Sequence, residues 1–153
     1  MSEPATPIEP DDELFRAVMA RFASGVTVMT SVLEGEPHGM TANAVASVSL
    51  DPLLVLVCVE RGTVMEEYIE RSGVFALSFL AADQAPLSNA FADHDRPRGA
   101  AQFAGVATST AATGSPLLSG SVGWVDCDVW SVTDGGDHII VVGEVAAMAC
   151  GPV

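Results

Sequence analysis

The spacing of hydrophobic residues changes near residue 25. Apolar side chains recur at helical spacing from residue 14 to residue 22, after the potential N-caps Asp11 and Asp12, and Gly25 follows them. This pattern predicts a helix that ends at Gly25. The next segment, 26–32, alternates β-branched residues and predicts a strand, which a Gly- and Pro-containing turn at 34–37 ends.

The middle of the chain contains strand-length apolar segments separated by short helices. Residues 39–50 are mostly small, whereas 53–59 (LLVLVCV) is continuously apolar, as in a strand buried on both faces. A turn at 60–63 leads into a short helix in which Met65, Tyr68 and Ile69 share a face. We also predict a strand at 74–80, a helix at 84–92 and a loop at 92–100.

Two further strands follow, joined by a tight turn at 133–137. In the first, 122–132, strict alternation predicts two opposite faces: Val125, Cys127 and Val129 on one, and Trp124, Asp126, Asp128 and Trp130 on the other. The second covers 138–148. Because turns join most strands and the helices are too few for regular crossovers, the expected fold is mainly β, with about six strands. A closed or split antiparallel Greek-key β-barrel with a few short peripheral helices would protect the sheet edges.

Composition predicts one packed domain. Of 153 residues, 49% are hydrophobic and 17% charged, which argues against disorder. Three prolines within residues 1–10 predict a flexible N-terminal arm, so the domain is expected to span 11–153. The mean hydropathy of +0.38 is high for a monomer and predicts that a second subunit covers apolar surface, most simply in a homodimer.

The chain is strongly acidic. It has 20 acidic and 6 basic residues, all six of them arginine, and a formal net charge of −14. This field disfavours nucleic acid and membrane surfaces as partners, although one small anion could still be held by local groups. We predict a cytoplasmic protein, because the three cysteines are scattered, the N-terminus is acidic and no apolar run reaches about 18 residues.

Common catalytic motifs are missing. The chain has no GxGxxG, GxxxxGK[ST] or GxSxG motif, and His38, His94 and His138 lack metal-ligand spacing, so no metal site is expected. Cys58 and Cys127 lie in apolar runs and are interpreted as inert core thiols, with a Cys–His nucleophile as the alternative.

Five segments, in order and spacing, resemble the flavin reductase-like family, whose members have the FMN-binding split barrel and serve as reductase components of two-component monooxygenases. The segments are FRAVM…FASGVTV (15–28), PHGMTAN (37–43), SVSLDP (47–52), FADHDRPRG (91–99) and GDHIIVVGE (136–144). They cover nearly the whole chain from about residue 12.

The resemblance implies an NAD(P)H:flavin oxidoreductase. Such an enzyme transfers hydride from NADH or NADPH to FMN or FAD and supplies reduced flavin to a separate monooxygenase. Since the cofactor carries this chemistry, the protein needs mainly to align the two ligands, and no acid–base pair is expected. The alternative is a flavin-binding module, a carrier or redox sensor that holds FMN tightly without turnover.

The residues of these segments also suit a flavin. Small side chains around Ala42, Ala44 and Ala46 leave room for a flat ring, although such a strand could equally just pack tightly. The candidates for the ribityl chain and phosphate are Ser47, Ser49 and Thr63, with Arg61 and the amide of Gly62, and Arg96 or Arg98 could also meet an anion. The expected cofactor-binding residues are Gly25, Val26, Thr41, Ala42, Asn43, Ala44, Ser47, Val48, Ser49, Cys58, Val59, Glu60, Arg61, Gly62, Thr63, Phe91 and His138.

His138 is the residue expected to act in the reaction. In the family a histidine of the GDH motif lies beside the flavin and the nicotinamide, whereas the simpler interpretation is a strand-end histidine that binds Asp137 or a carbonyl. Phe91 could cover the flavin ring or fill the core. Trp124 and Trp130 are interpreted as core or interface residues rather than cofactor contacts.

Overall fold

The computed structural model describes residue 1 and residues 4–151, within which residues 4–10 are exposed and irregular. Residues 2, 3, 152 and 153, which the predicted arm and domain include, lie outside the described residues. The helices are α1 (Asp12–Met19), α2 (Val64–Ser72) and α3 (Ala85–Ala92), and short 3-10 turns cover Ala82–Gln84 and Gly99–Phe103. The strands are β1 (Thr27–Leu33), β2 (Glu36–Ala42), β3 (Val45–Leu50), β4 (Leu53–Glu60), β5 (Val74–Phe79), β6 (Thr108–Ser109), β7 (Leu117–Leu118), β8 (Gly123–Gly135) and β9 (His138–Cys150).

Seven of the strands form one sheet in the order β2-β1-β5-β8-β9-β4-β3, and every neighbouring pair is antiparallel. The consecutive strands β2 and β3 lie at opposite edges, so the barrel is split between them. Helix α2 packs against β1 and β2 on one side of the split and β4 on the other. The predicted split antiparallel barrel is therefore confirmed.

Apolar side chains from the sheet and α2 fill the barrel interior. Val57 and Val59 of β4, Phe75 of β5 and Met65 of α2 are completely buried there, and Ile69 joins them from the next turn of the helix. A smaller cluster lies outside β1, where Phe91 of α3 packs on Val28. Helix α3 is thereby fixed against the outer side of the barrel.

Helix α1 begins as predicted but ends earlier. The Asp11 carboxylate accepts a hydrogen bond of 2.7 Å from the Leu14 amide, whereas the helix stops at Met19, well before Gly25. After Met19, three-residue turns replace the helical bonds, because the amides of Arg21 and Phe22 donate to carbonyls only three residues back. None of the apolar side chains of α1 is buried by this chain.

Two predictions about the small and apolar segments need correction. Residues 39–50 form two strands rather than one, since the chain leaves the sheet at Asn43 and Ala44 and re-enters at the opposite edge. Strand β4 is not buried on both faces: Val57 and Val59 point into the barrel and are completely buried, whereas Leu54, Leu56 and Cys58 on the opposite face are only partly buried. The described residues form nine strands, against the predicted six or so, and two of these are only two residues long.

The alternation places Asp126 on the opposite face of β8 from Val125 and Cys127, and in the structure Asp126 is fully buried. The chain between residues 110 and 118 crosses over this face. Thr113 donates to both carboxylate oxygens of Asp126, from its amide at 2.8 Å and from its hydroxyl at 2.5 Å. Thr30 of β1 and Ser78 of β5 also bind this segment, through the Pro116 carbonyl and the Leu118 amide. Buried polar side chains of three adjacent strands thus hold residues 113–118.

The predicted loop at 92–100 is irregular up to Arg98, and a 3-10 turn begins at Gly99. Within the described residues, 1 and 4–151, no helix is long and apolar enough to cross a membrane.

Candidate functional site

A cleft of about 410 Å³ lies between β2, the β4–α2 loop and the segment that follows α3. It lies on the side of the split where α2 begins. This volume is within the usual range of small-molecule sites. The cleft is lined by His38, Met40, Thr41, Glu60, Gly62, Thr63, Val64, Met65, Phe91, Ala92, His94, Arg96, Pro97, Arg98 and Gln102.

His38 is a neutral hydrogen-bond donor in this cleft. Burial, reinforced by the charges of Arg96 and Arg98, lowers its pKa from 6.5 to about 4. Gln102 accepts from the Gly39 amide through Oε1, so its Nε2 donates to His38 Nδ1 at 2.9 Å. The proton of the neutral ring therefore lies on Nε2.

The Nε2 atom of His38 has no protein partner among the described residues, although the side chain as a whole is only 4% exposed. No fully buried side-chain nitrogen or oxygen of the described residues lacks a partner, so Nε2 retains access to the cleft. A ligand with an oxygen or nitrogen acceptor can satisfy it.

Two arginines give one wall of the cleft a positive charge. Arg96 donates to the Gly39 carbonyl from Nε at 3.1 Å and from a terminal nitrogen at 2.9 Å, which fixes its guanidinium against β2. Arg98 is exposed and forms no ion pair within residues 4–151. An anion in the cleft would meet one anchored cation and one that is free to move.

Thr41 and Phe91 belong both to the cleft and to the packing beneath it. The Thr41 hydroxyl donates to the Ser88 carbonyl at 2.6 Å, so its oxygen can still accept. Phe91 is 2% exposed and stacks obliquely on Phe103, with ring centroids 5.2 Å apart. Phe91 fills the core while it also lines the cleft, which accommodates both interpretations made from the sequence.

The loop at residues 60–63 already satisfies its own polar groups. Arg61 binds the β8–β9 turn, the Gly62 amide donates to Glu66 Oε2 at 2.6 Å, and the Thr63 hydroxyl donates to the Glu60 carbonyl at 2.8 Å. Thr63 also caps α2. The three residues expected to hold a phosphate thus have partners within the protein.

His138 lies beside the cleft but does not line it. It is the first residue of β9 and pairs directly with Glu60, a cleft residue, in the antiparallel ladder. Directly opposite side chains on paired strands lie on the same face. His138 Nδ1 lies 2.7 Å from Asp137 Oδ1, the contact expected of a strand-end histidine, and its ring is 42% exposed toward solvent.

The remaining predicted cofactor residues lie outside the cleft. Asn43, Ala44, Ser47 and Val48 are exposed on or beside edge strand β3, while Ser49 and Cys58 are partly exposed. Ala42 and Val59 point into the barrel core, which leaves only their backbones for a ligand. Gly25 is exposed, and Val26 borders a separate depression of about 270 Å³ beside α3.

Sequence reasoning did not assign His38 or Gln102 to a site. His38 belongs to the PHGMTAN segment, so the motif contained a signal, but its importance comes from Gln102, which is 64 residues away in sequence. No group of three or more His, Cys, Asp or Glu side chains that could hold a metal ion occurs in the part of the chain that the structure describes.

Comparison with known proteins identifies the family. Residues 19–152 match the model of the flavin reductase like domain. The chain belongs to the flavin reductase-like family. A relative from Streptomyces globisporus, named an NADH-dependent FAD reductase, is 42% identical over 147 residues, which cover 95% of this chain and 80% of the relative. The reductase subunit HsaB of a flavin-dependent monooxygenase from Rhodococcus jostii is 37% identical over 91% of this chain and 69% of its own.

Solved flavin reductases have the same architecture. BorF, the flavin reductase component of a bacterial two-component tryptophan halogenase, superposes with a TM-score of 0.88 at 40% identity, over 94% of this chain and 89% of that one. The NADH:FAD oxidoreductase of Streptomyces globisporus in complex with NAD and FAD fragments superposes with a TM-score of 0.88 at 39% identity. The match covers 97% of this chain and 88% of that one. A flavin suits the cleft of this chain, because the two arginines and the unpartnered His38 Nε2 match its phosphate and carbonyl oxygens.

Proposed function

We propose that the protein is an NADH-dependent flavin reductase that supplies reduced flavin to a separate monooxygenase. The observation that carries this proposal is the 42% identity, over 95% of the chain, to a relative named an NADH-dependent FAD reductase. HsaB is named as the reductase subunit of a flavin-dependent monooxygenase, which supports a monooxygenase partner. BorF is the flavin reductase component of a two-component halogenase, which supports a separate partner enzyme.

Bound flavin would accept the hydride, and this chain's residues bind and align the two ligands. Arg98 and the anchored Arg96 neutralise phosphate, and His38 donates a hydrogen bond from Nε2. Phe91 and Met40 provide an apolar wall. His138, beside the cleft and opposite Glu60, positions the nicotinamide.

The small and polar residues of β3 would complete the flavin site from the other side. Asn43, Ala44, Ser47 and Val48 lie on or beside an open sheet edge, where a flat ring can approach the backbone closely. Since these residues are exposed in a single chain, the proposed site becomes enclosed only when a second subunit covers this edge.

We propose a homodimer for the same reason. The apolar face of α1, with Phe15 65% exposed, is uncovered by the chain's own residues, as are Phe22 at 76%, Leu50 at 85% and Trp130 at 55%. Exposed apolar surface of this extent is typical of an interaction site. A cytoplasmic location is part of the proposal and is supported by the three free cysteines.

The test crosses two flavins with two nicotinamides and follows NADH or NADPH absorbance. We expect rapid NADH oxidation that requires added FAD or FMN and slower oxidation of NADPH. Flavin-independent oxidation, or none with either flavin, would contradict the proposal. Negligible turnover together with FMN retained through dialysis would instead support the alternative, a flavin carrier or redox sensor.

A further inference from the structure

One arginine side chain joins the two loops on which the proposed reaction depends. Arg61 follows the cleft residue Glu60, and its guanidinium reaches the β8–β9 turn that ends at His138. The Arg61 amide donates to the Asp137 carbonyl at 3.0 Å, and Nε donates to the Gly136 carbonyl, also at 3.0 Å. Two consecutive peptide units of the turn are thus held by one residue.

The two terminal nitrogens of Arg61 bind carboxylates on either side. One donates to Asp134 at 2.5 Å, and the other lies 3.5 Å from Glu66, whose second oxygen accepts from the Gly62 amide. Hydrogen bonding and attraction by Arg61 lower the pKa of Asp134, so this carboxylate is ionised at neutral pH. The guanidinium spans the turn, the β4–α2 loop and α2.

These contacts argue against a phosphate-binding role for Arg61. Each of the three side-chain nitrogens of Arg61 already has a protein partner, and the carboxylates of Asp134 and Glu66 make its surroundings negative. We propose that Arg61 is a positioning residue, which holds the β8–β9 turn against the β4–α2 loop so that His138 stays opposite the cleft residue Glu60. The inference rests on the proposed function, because it assumes that His138 positions the nicotinamide.

The turn needs such a contact. Gly136 has a φ of +81°, and a glycine loses more conformational entropy on folding than any other residue. The His138 side chain is 42% exposed and has Asp137 as its hydrogen-bond partner. Asp137 orients the His138 ring through Nδ1, while the Arg61 side chain holds the carbonyl of Gly136, the residue before this aspartate. The position of the imidazole is therefore set by backbone that Arg61 fixes.

Stability and positioning can be separated, because the Arg61 side chain is 43% exposed and Asp134 is 77% exposed. Ion pairs this exposed stabilise a fold little. Arg71 is a matched control: its guanidinium, 50% exposed, also binds two carboxylates, Glu67 at 2.8 Å and Glu34 at 3.3 Å, but it lies in the last turn of α2. Arg61→Ala and Arg71→Ala should change thermal stability by similar small amounts.

The experiment has a structural and a kinetic part, both on the full chain. Hydrogen exchange of the amides at 135–138 should accelerate about tenfold in Arg61→Ala and remain unchanged in Arg71→Ala, because the variant loses charge-assisted hydrogen bonds to the turn. In steady-state assays with saturating flavin, Arg61→Ala should raise the KM for NADH about tenfold, while the dissociation constant of flavin changes less than about twofold. Arg61→Lys should restore little, since an ammonium cannot bridge a carbonyl and two carboxylates.

A double-mutant cycle shows whether Arg61 acts through His138. If it does, adding Arg61→Ala to His138→Ala should not raise the KM further. Additive effects, or equal loss of flavin and NADH binding, would overturn the positioning role. Unchanged exchange at 135–138 would overturn it even in an active enzyme. Absence of flavin-dependent NADH oxidation in the unmodified protein would refute the proposed function instead, while the exchange result would still report whether Arg61 holds the turn.

Discussion

Gly143 of β9 lies directly against Phe75 of β5 inside the barrel. A Cβ at position 143 would lie 2.6 Å from Cε1 of the Phe75 ring and 2.8 Å from Cβ of Cys127. Both neighbours are completely buried, so neither can move away freely. Gly143, the second glycine of the GDHIIVVGE segment, is therefore required by packing.

Replacing this glycine should destabilise the barrel. Gly143→Ala is expected to lower the free energy of unfolding by about 1–3 kcal/mol, the usual cost of overpacking, measured by urea denaturation. Gly25→Ala is the control, because a Cβ there meets nothing within 4 Å. In the Phe75→Leu background the cost should shrink, and an unchanged cost would mean that the ring is not the obstacle.

Buried His38 should make stability fall with acidification. Its pKa is about 4 in the folded chain and 6.5 in the unfolded chain, so between these values the unfolded state binds the extra proton. The native state should lose up to about 3 kcal/mol as the pH falls from 6.5 to 4. His38→Gln should flatten this part of the stability curve, whereas the same change at exposed His94 should leave it intact. Identical slopes in all three proteins would exclude His38 as the cause.

Arg98 should contribute to binding by its charge. We expect Arg98→Ala to raise the dissociation constant of FAD about fivefold, the effect of losing one exposed ionic contact, and to weaken its dependence on salt. Flavin fluorescence quenching over a range of NaCl concentrations measures both. Arg71→Ala serves as the control for net charge, and an equal effect of that variant would point to the general field of the protein.

The three thiols should differ widely in reactivity. Burial, aided by Asp126 and Asp128, raises the pKa of Cys127 to about 12, so almost no thiolate forms at neutral pH. With a thiol-specific disulfide reagent, the native protein should react quickly at exposed Cys150, more slowly at Cys58 and not at Cys127. Cys150→Ser should remove the fast phase. Reaction of Cys127 before unfolding would contradict the assignment of this residue to the core.

The strands and the barrel could be predicted because local patterns encode them. The alternation that places Val125 and Cys127 inside and the cap at Asp11 depend on residues close in sequence. The resemblance of five segments supplied the topology, which periodicity alone leaves open. Residues 39–50 were misread because the break at Asn43 and Ala44 leaves the strand-like pattern almost unchanged.

The site was harder to predict, since its key contacts join distant residues. His38 becomes a neutral donor through Gln102 and two arginines that lie about 60 residues away. The partners of Arg61 in the β8–β9 turn lie more than 70 residues later. An arginine next to a glycine and a threonine is an ordinary phosphate motif when read locally. The carboxylates that surround Arg61 become visible only when the sheet pairs β4 with β9. The burial of Asp126 could not be predicted for the same reason, because the segment that covers it comes from an irregular loop.

The loop that buries Asp126 has a practical consequence. Residues 113–118 have little regular structure, yet Thr30, Ser78 and Asp126 hold them to three strands of the barrel. A protease must extract a cleavage site from its surroundings before it can cut, so this segment should resist digestion as well as the strands do. Affinity tags or inserted peptides are better placed at the exposed Glu34–Gly35 turn, where the chain bends away from the barrel and a side chain at Gly35 would meet no neighbouring atom.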